Sequence, residues 1–328
     1  MRRPNLFDFA TSELSQDAFI GWLLSWAAPE NKEIDSELYM TATRFIQAIF
    51  RKHNKTVPAT ISKIEVRKQH HDIDILCIIN DTYAIIVEDK TATINHSEQL
   101  TRYYNDVKDA GHKEENILPI YYKTGDQGGY SEIEKSQYKV FLRDDILQVL
   151  NTYLGTNNIL LDYRDRLQFI SNNVASYQSM PINEWKWHSW IGFYLMLQEE
   201  LGDGTWDYVP NPSGGFLGYW WHFRNSEDST IYLQIEQDKL CFKIAPSAND
   251  TSTRRDVRTK WYERIIEKSR EHGLPIKKPK RFGNGSHMTV CIFDGEYRKT
   301  KDDGTIDIPS TIDLLRKAEK LLDLAHAG

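Results

Sequence analysis

At 328 residues the chain is long enough for one large domain or two, and 40% hydrophobic with 27% charged residues is an ordinary globular composition. A net charge of −6 excludes a surface coated in positive charge, although a local basic patch on such a chain can still hold nucleic acid. Three scattered cysteines (Cys77, Cys241, Cys291) argue against a disulfide framework or a zinc ribbon, and apolar runs such as Ile20–Leu24 fall far short of the roughly 20 residues that cross a bilayer.

Asp8 and Glu13 interrupt any signal-peptide core behind Arg2 and Arg3, so the expectation is a cytoplasmic protein with no membrane partner. A helix is expected over 13–27, capped by Thr11 or Ser12. Its inward face is read as Leu14, Ala18, Trp22 and Trp26, with Phe19 and Leu23 beside them. A second helix covers 36–52, with Leu38, Phe45, Ile46 and Ile49 turned inward. After Pro58 a strand is expected near 61–67. Two β-rich runs follow, 72–79 and 82–88, separated by the hairpin signal Asn80-Asp81. Helix 96–110 presents Leu100, Tyr103, Tyr104 and Val107 at helical spacing. A buried strand at 117–122, a glycine-rich loop (Gly125, Gly128, Gly129), a strand at 138–142 and a helix from Asp144 complete a mixed α/β layer.

The polar stretch 171–183, ending at Met180-Pro181, is the expected boundary between a domain at 1–175 and a smaller α+β domain at 181–328. The second half reads as a helix at 185–201, strands near 218–224, 230–237 and 239–245, a basic helix at 254–271, a strand at 287–294 and a terminal helix at 310–325.

The chemistry is concentrated in the hairpin. Asp74 lies inside the first strand, and its neighbours Ile73 and Ile75 are expected on the opposite face. Glu88 and Lys90 end the partner strand two residues apart and so share a face. A hairpin can bring Asp74 opposite them, and three charges in such a place are costly unless they neutralise one another or hold a metal. Two carboxylates suit a hard cation such as Mg²⁺, with Mn²⁺ as a substitute, and the Asp89 carbonyl offers a further ligand. Lys90 would stabilise charge developing on a phosphate.

Asp74…Glu88-Asp89-Lys90 on two hairpin strands resembles the D…(D/E)-x-K core of the PD-(D/E)XK nuclease superfamily, with Ile73 where the formal motif has proline. Asn5–Phe9, Glu13 and Asp17–Leu24 look like the opening helix of one bacterial subgroup. His96–Leu100 with Tyr103-Tyr104 looks like the Gln-Leu-x-x-Tyr helix, and Ile120–Gly125 like the strand and turn after it. The resemblance covers roughly residues 5–150. It implies a restriction-endonuclease-like core, a central mixed sheet flanked by helices. It implies a metal-dependent nuclease acting on DNA, with room for a protein partner or a homo-oligomer. It also implies Glu13 as an auxiliary acid near the metal and Gln99 as a group reaching the phosphate or water.

Other readings compete. Asp72 shares a strand face with Asp74, Glu13 can serve a helix N-terminus, and Gln99 can be a surface residue. His70-His71 reads as solvent-exposed rather than as a ligand pair, since adjacent strand residues diverge. Arg254, Arg255, Arg258, Lys277, Lys278, Lys280 and Arg281 form either a solvated face or a surface that tracks phosphates. Trp185, Trp187, Trp190, Trp220, Trp221 and Phe223 are aromatic enough to stack on bases, but most read as domain core. A nuclease fold that binds DNA without cutting it, or that depends on a partner, is the alternative function.

Overall fold

The computed structural model describes every residue except 1–2, 71, 92–96, 212–213, 249, 281, 284 and 328. His71, His96 and Arg281 therefore lie outside the described residues. The chain forms two compact units, Met1–Asn172 and Asn173–Gly328.

The first unit opens with α1 (Glu13–Ser25), capped by the Ser12 side chain, and α2 (Ser36–Lys52), capped by Asp35. The Ser12 and Asp35 side-chain oxygens accept from free N–H groups of the first turns, the usual role of such residues. Strands β1 (Ile64–His70), β2 (Ile73–Ile79) and β3 (Tyr83–Lys90) form an antiparallel meander. At the β2–β3 turn Asn80 and Asp81 both take positive φ, which their short polar side chains tolerate, and Thr82 N donates to Ile79 O at 3.0 Å. From β3 the chain crosses through α3 (Ser97–Asp109) to β4 (Ile117–Lys123), parallel to β3. It then passes through α4 (Ser131–Glu134) to β5 (Lys139–Leu142), parallel to β4. Helices α5 (Arg143–Leu150) and α6 (Asn158–Ala175) follow. The sheet order β1-β2-β3-β4-β5 makes a mixed five-stranded layer.

Each face of that sheet has its own core. Ile75, Cys77, Ile85, Val87, Leu118 and Ile120 pack with α1, α2, α5 and α6. Leu76, Ile78, Ala84, Ile86 and Tyr121 pack with α3. Ile75 thus turns away from Asp74 as the alternation requires. Ile73 does not: it joins the α3-side cluster, next to Asp72 with its positive φ of 67°. The expected face of α1 is also displaced. Leu14 is 55% exposed and Ala18 is exposed, while Gln16, Asp17, Phe19, Ile20, Leu23 and Leu24 are buried.

The second unit has α7 (Trp187–Leu201), then β6 (Thr205–Val209), β7 (Phe216–Asn225), β8 (Ser229–Glu236) and β9 (Lys239–Pro246). It ends with α8 (Thr251–His272), β10 (Ile276–Lys277), β11 (Met288–Phe293) and α9 (Ile308–Ala327). Its strands form an antiparallel sheet in the order β10-β11-β9-β8-β7-β6. Leu217, Tyr219, Trp221, Leu233 and Phe242 on one face pack against residues of α7, α8 and α9. The molecule is mixed α/β, and among the described residues no helix is long and apolar enough to cross a membrane.

Candidate active site

The site lies at the end of the β2–β3 hairpin, on the α3 side of the sheet. Ile75 pairs with Val87, so the next step places Asp74 across from Glu88. The Asp89 N–H donates to Asp74 Oδ2 at 2.8 Å and fixes that carboxylate against β3. Lys90 Nζ lies 2.6 Å from Glu88 Oε1, 2.9 Å from the Asp89 carbonyl and 3.9 Å from Glu13 Oε2. Glu13 enters from the first turn of α1, where Thr91 N donates to its Oε1 at 3.0 Å. From α3, Gln99 Nε2 donates to the Tyr103 hydroxyl at 2.6 Å and more weakly to Glu88 Oε1 at 3.3 Å. Asp74, Glu88, Lys90, Glu13 and Gln99 therefore meet in one place. Asp72 instead is exposed and pairs with Arg102 at 3.3 Å.

Burial shapes the electrostatics. Glu88 is 0% exposed, and burial followed by the nearby Asp74 carboxylate pushes its pKa up to about 7. Burial raises Asp74 as well, against the lowering effect of the Asp89 N–H and Lys90. Burial disfavours the Lys90 ammonium, yet Glu88, Asp74 and Glu13 outweigh it and hold the lysine above its ordinary value. Asp74 thus hinders ionisation of Glu88, while a hydrogen bond from Glu88 eases that of Asp74, so the two carboxyl groups titrate as a pair.

A second layer escapes the sequence reading. The Asp89 side chain alternates to the α1 face of the sheet, where it accepts from Gln16 Nε2. Gln16 Oε1 in turn accepts from Thr124 Oγ1 at 2.8 Å and from the Tyr163 hydroxyl at 2.9 Å. Asp17, one residue along α1, is raised to about 6 by burial and by Asp74, while Asp89 is driven well up by burial. Lys123 stands beside Lys90 in the β3–β4 register, and burial lowers it to about 8. The signal for Gln16 and Asp17 was present: adjacent polar residues on a helix whose apolar positions Phe19, Ile20, Leu23 and Leu24 fall one turn on. Reading the stripe from Leu14 rotated the helix and turned both outward.

The donor set suits a divalent ion. Glu88 Oε2 is buried with no hydrogen-bond partner, as are Asp89 Oδ2 and Asp17 Oδ1. Among the described residues no three His, Cys, Asp or Glu groups gather into a closed cage. A hard divalent ion keeps several waters and can be held through one or two protein carboxylates. Asp74 and Glu88 would hold such an ion. The Asp89 carboxylate faces the other side of the sheet, so only its carbonyl, now accepting from Lys90, is on the side of the pair.

The basic residues of the second unit divide by exposure. Arg258 is 2% exposed; its guanidinium bonds the Gly283 and Thr289 carbonyls and stacks 3.4 Å from the Phe282 ring centroid, so it belongs to the interior. Lys277 pairs with Asp294 at 2.7 Å, and Lys278 lies over the Phe282 ring. Arg254 bonds the Ala248 carbonyl, while Arg255 and Lys280 are exposed. Trp185, Trp190 and Trp221 are core, Trp220 is partly buried, and Trp187 and Phe223 are exposed.

The mixed sheet carries an acid on one hairpin strand and an acid-x-lysine on the next, the arrangement that the D…(D/E)-x-K pattern describes. A family model for the PD-(D/E)XK nuclease superfamily matches residues 4–179, and the chain belongs to that superfamily. Its nucleases typically use divalent metal ions. No curated protein and no solved structure matches the chain.

Proposed function

We propose that the chain is a Mg²⁺-dependent nuclease that hydrolyses phosphodiester bonds in DNA, with Mn²⁺ as an alternative ion. The observation that carries this reading is the convergence of Asp74 and Glu88 on one sheet face with Lys90 Nζ 2.6 Å from Glu88, one buried Glu88 oxygen being left without a partner. A bound divalent ion supplies Lewis acidity toward the phosphate and lowers the pKa of a bound water. The protein's own groups orient the reaction. The Asp89 N–H holds Asp74 in one rotamer, Thr91 holds Glu13, and Gln99 restrains Glu88 from α3. Lys90, mostly buried, places a fixed positive charge where a phosphate gains negative charge, and such preorganised charge lowers the barrier most where water is excluded.

The test is cleavage of linear and circular DNA, single-stranded and duplex, with Mg²⁺ or Mn²⁺. Asp74→Ala and Lys90→Ala are each expected to lower the rate by at least about 100-fold, roughly 2.7 kcal/mol of transition-state stabilisation, while circular dichroism stays unchanged. Cleavage at the wild-type rate in both variants would sink the proposal. A second reading is a nuclease fold that binds DNA without cutting it, and the Lys90 ammonium favours it, since at 2.6 Å from Glu88 Oε1 and 2.9 Å from the Asp89 carbonyl it engages oxygens that an ion would take. DNA binding with neither metal uptake nor cleavage would select that one.

A further inference from the structure

We infer that the first unit carries a second site, a basic pocket between α2 and α5 that binds the phosphate group of a nucleotide, free or within a chain. The cavity has a volume of about 560 Å³. That falls inside the range of about 300–1,000 Å³ typical of small-ligand sites. Both helices build it through their own periodicity. Arg44, Ala48 and Arg51 or Lys52 recur at steps of three or four on α2, and Asp145, Gln148 or Val149, and Thr152 do so from α5 into its C-terminal turn. Ala48 and Val149 are buried and form an apolar floor. The wall carries three cations against one acid, a local excess of positive charge on a chain whose net charge is −6.

Two of those cations are already held in place. Arg44 Nη1 donates to the Thr152 carbonyl at 3.2 Å and to its hydroxyl at 3.1 Å, and among the described residues Nη2 and Nε have no partner. Lys52 Nζ lies 2.8 Å from Asp145 Oδ2, an atom that also accepts from Leu142 N at 2.8 Å. The Arg51, Gln47 and Gln148 side chains have no partner among the described residues and line the same cavity. A held guanidinium on Arg44, a second on Arg51 and two amides beside them match the tetrahedral oxygens of a phosphate, and charge-assisted bonds of this kind are the stronger ones. The pocket sits under helices that pack on one sheet face, whereas Asp74 and Glu88 lie on the other, so it is separate from the candidate active site.

Calorimetric titration of the full chain in EDTA tests this without any cleavage. The probes are sodium pyrophosphate, AMP and a short DNA duplex. The pocket variants are Arg51→Glu and Gln148→Glu, and Lys113→Glu, an exposed lysine in the loop after α3, makes the same charge change as the first. Pyrophosphate or AMP is expected to bind more tightly than about 1 mM, and each pocket variant to weaken it at least about tenfold, with no change in Lys113→Glu. The same pattern seen only with the duplex would identify the phosphate as that of a nucleic-acid backbone. Binding of no probe, or a loss in Lys113→Glu equal to that in the pocket variants, overturns the inference. Because metal is absent throughout, a failed nuclease and a failed pocket give different results.

Discussion

Gln16 joins three elements at the ends of the central strands: its amide donates to Asp89 on β3 and accepts from Thr124 after β4 and from Tyr163 on α6. The Asp89 peptide so anchored is the one whose N–H holds Asp74. Gln16→Leu keeps the volume and leaves the Thr124 hydroxyl and the Asp89 carboxylate without the bonds Gln16 gave them, while the Tyr163 hydroxyl keeps Tyr122. A loss of roughly 2–4 kcal/mol in urea unfolding is expected from unmade buried hydrogen bonds. On the proposed nuclease reading, divalent-ion affinity measured by calorimetry should also fall several-fold. A variant that loses stability yet binds the ion as tightly as wild type would confine Gln16 to packing. The contrast with Asp74, Glu88 and Lys90 shows what a sequence displays. Those three lie on two strands joined by a tight turn, so alternation alone places them together. Gln16 reaches Asp89 across 73 positions, and no local period announces a contact of that kind.

The most readable elements are those with a clear inward stripe or with a turn between two apolar runs. The expected helix at 36–52 is α2, because Leu38, Phe45, Ile46 and Ile49 leave one face no alternative. The hairpin at Asn80-Asp81 followed from two apolar runs and a turn that demands positive φ. Helix α6 was missed. Of its residues only Leu160, Asp162, Tyr163 and Leu167 are buried, and the polar stretch that suggested a boundary at 171–183 begins inside it. Strand β6, with Trp206 as its buried residue, gave equally little signal. Gly192 in α7 shows packing overriding propensity. A Cβ there would meet the Val174 carbonyl oxygen at 1.9 Å, so the helix approaches backbone and not a yielding side chain. Intrinsic propensity favours alanine over glycine in a helix by about 1 kcal/mol. The clash should reverse that sign, so Gly192→Ala is expected to destabilise the chain by about 3 kcal/mol in denaturant unfolding. A stabilised variant would mean that α7 can move away from Val174 at little cost.

Across the whole molecule, stability against pH is a contest between buried groups of opposite sign. Glu88, raised to about 7, and Asp17, raised to about 6, bind more protons folded than unfolded, so their contribution is complete below the ordinary carboxylate range and is lost as pH rises through 6 to 7. His53 does the reverse. Burial lowers it to about 4, and its ring Nε2 lies 3.1 Å from the Pro119 carbonyl. It contributes stability that is present above pH 6.5 and lost as pH falls toward 4. The two effects oppose each other up to about pH 7.5, where the unfolded histidine finishes titrating, and Lys123, lowered to about 8 by burial, opposes the acids toward pH 8, so the carboxyl contribution is read as the difference between wild type and variant. Between pH 6.5 and 8 Glu88 alone should lower the unfolding free energy by up to about 1 kcal/mol, against a rise of similar size from His53 and Lys123 together. Glu88→Gln should remove that fall and make the chain more stable at pH 8, because the amide occupies the site without a charge to bury. His53→Gln should leave the slope above about pH 7.5 untouched and remove the acid-side loss between 6.5 and 4. Urea titrations of wild type and both variants across pH 4.5–8 decide the matter. If Glu88→Gln keeps the full alkaline slope, the strain does not reside in the carboxyl pair. If the variant gains stability while losing divalent-ion uptake, the pair has been kept at the expense of the fold, as expected of charges placed for chemistry.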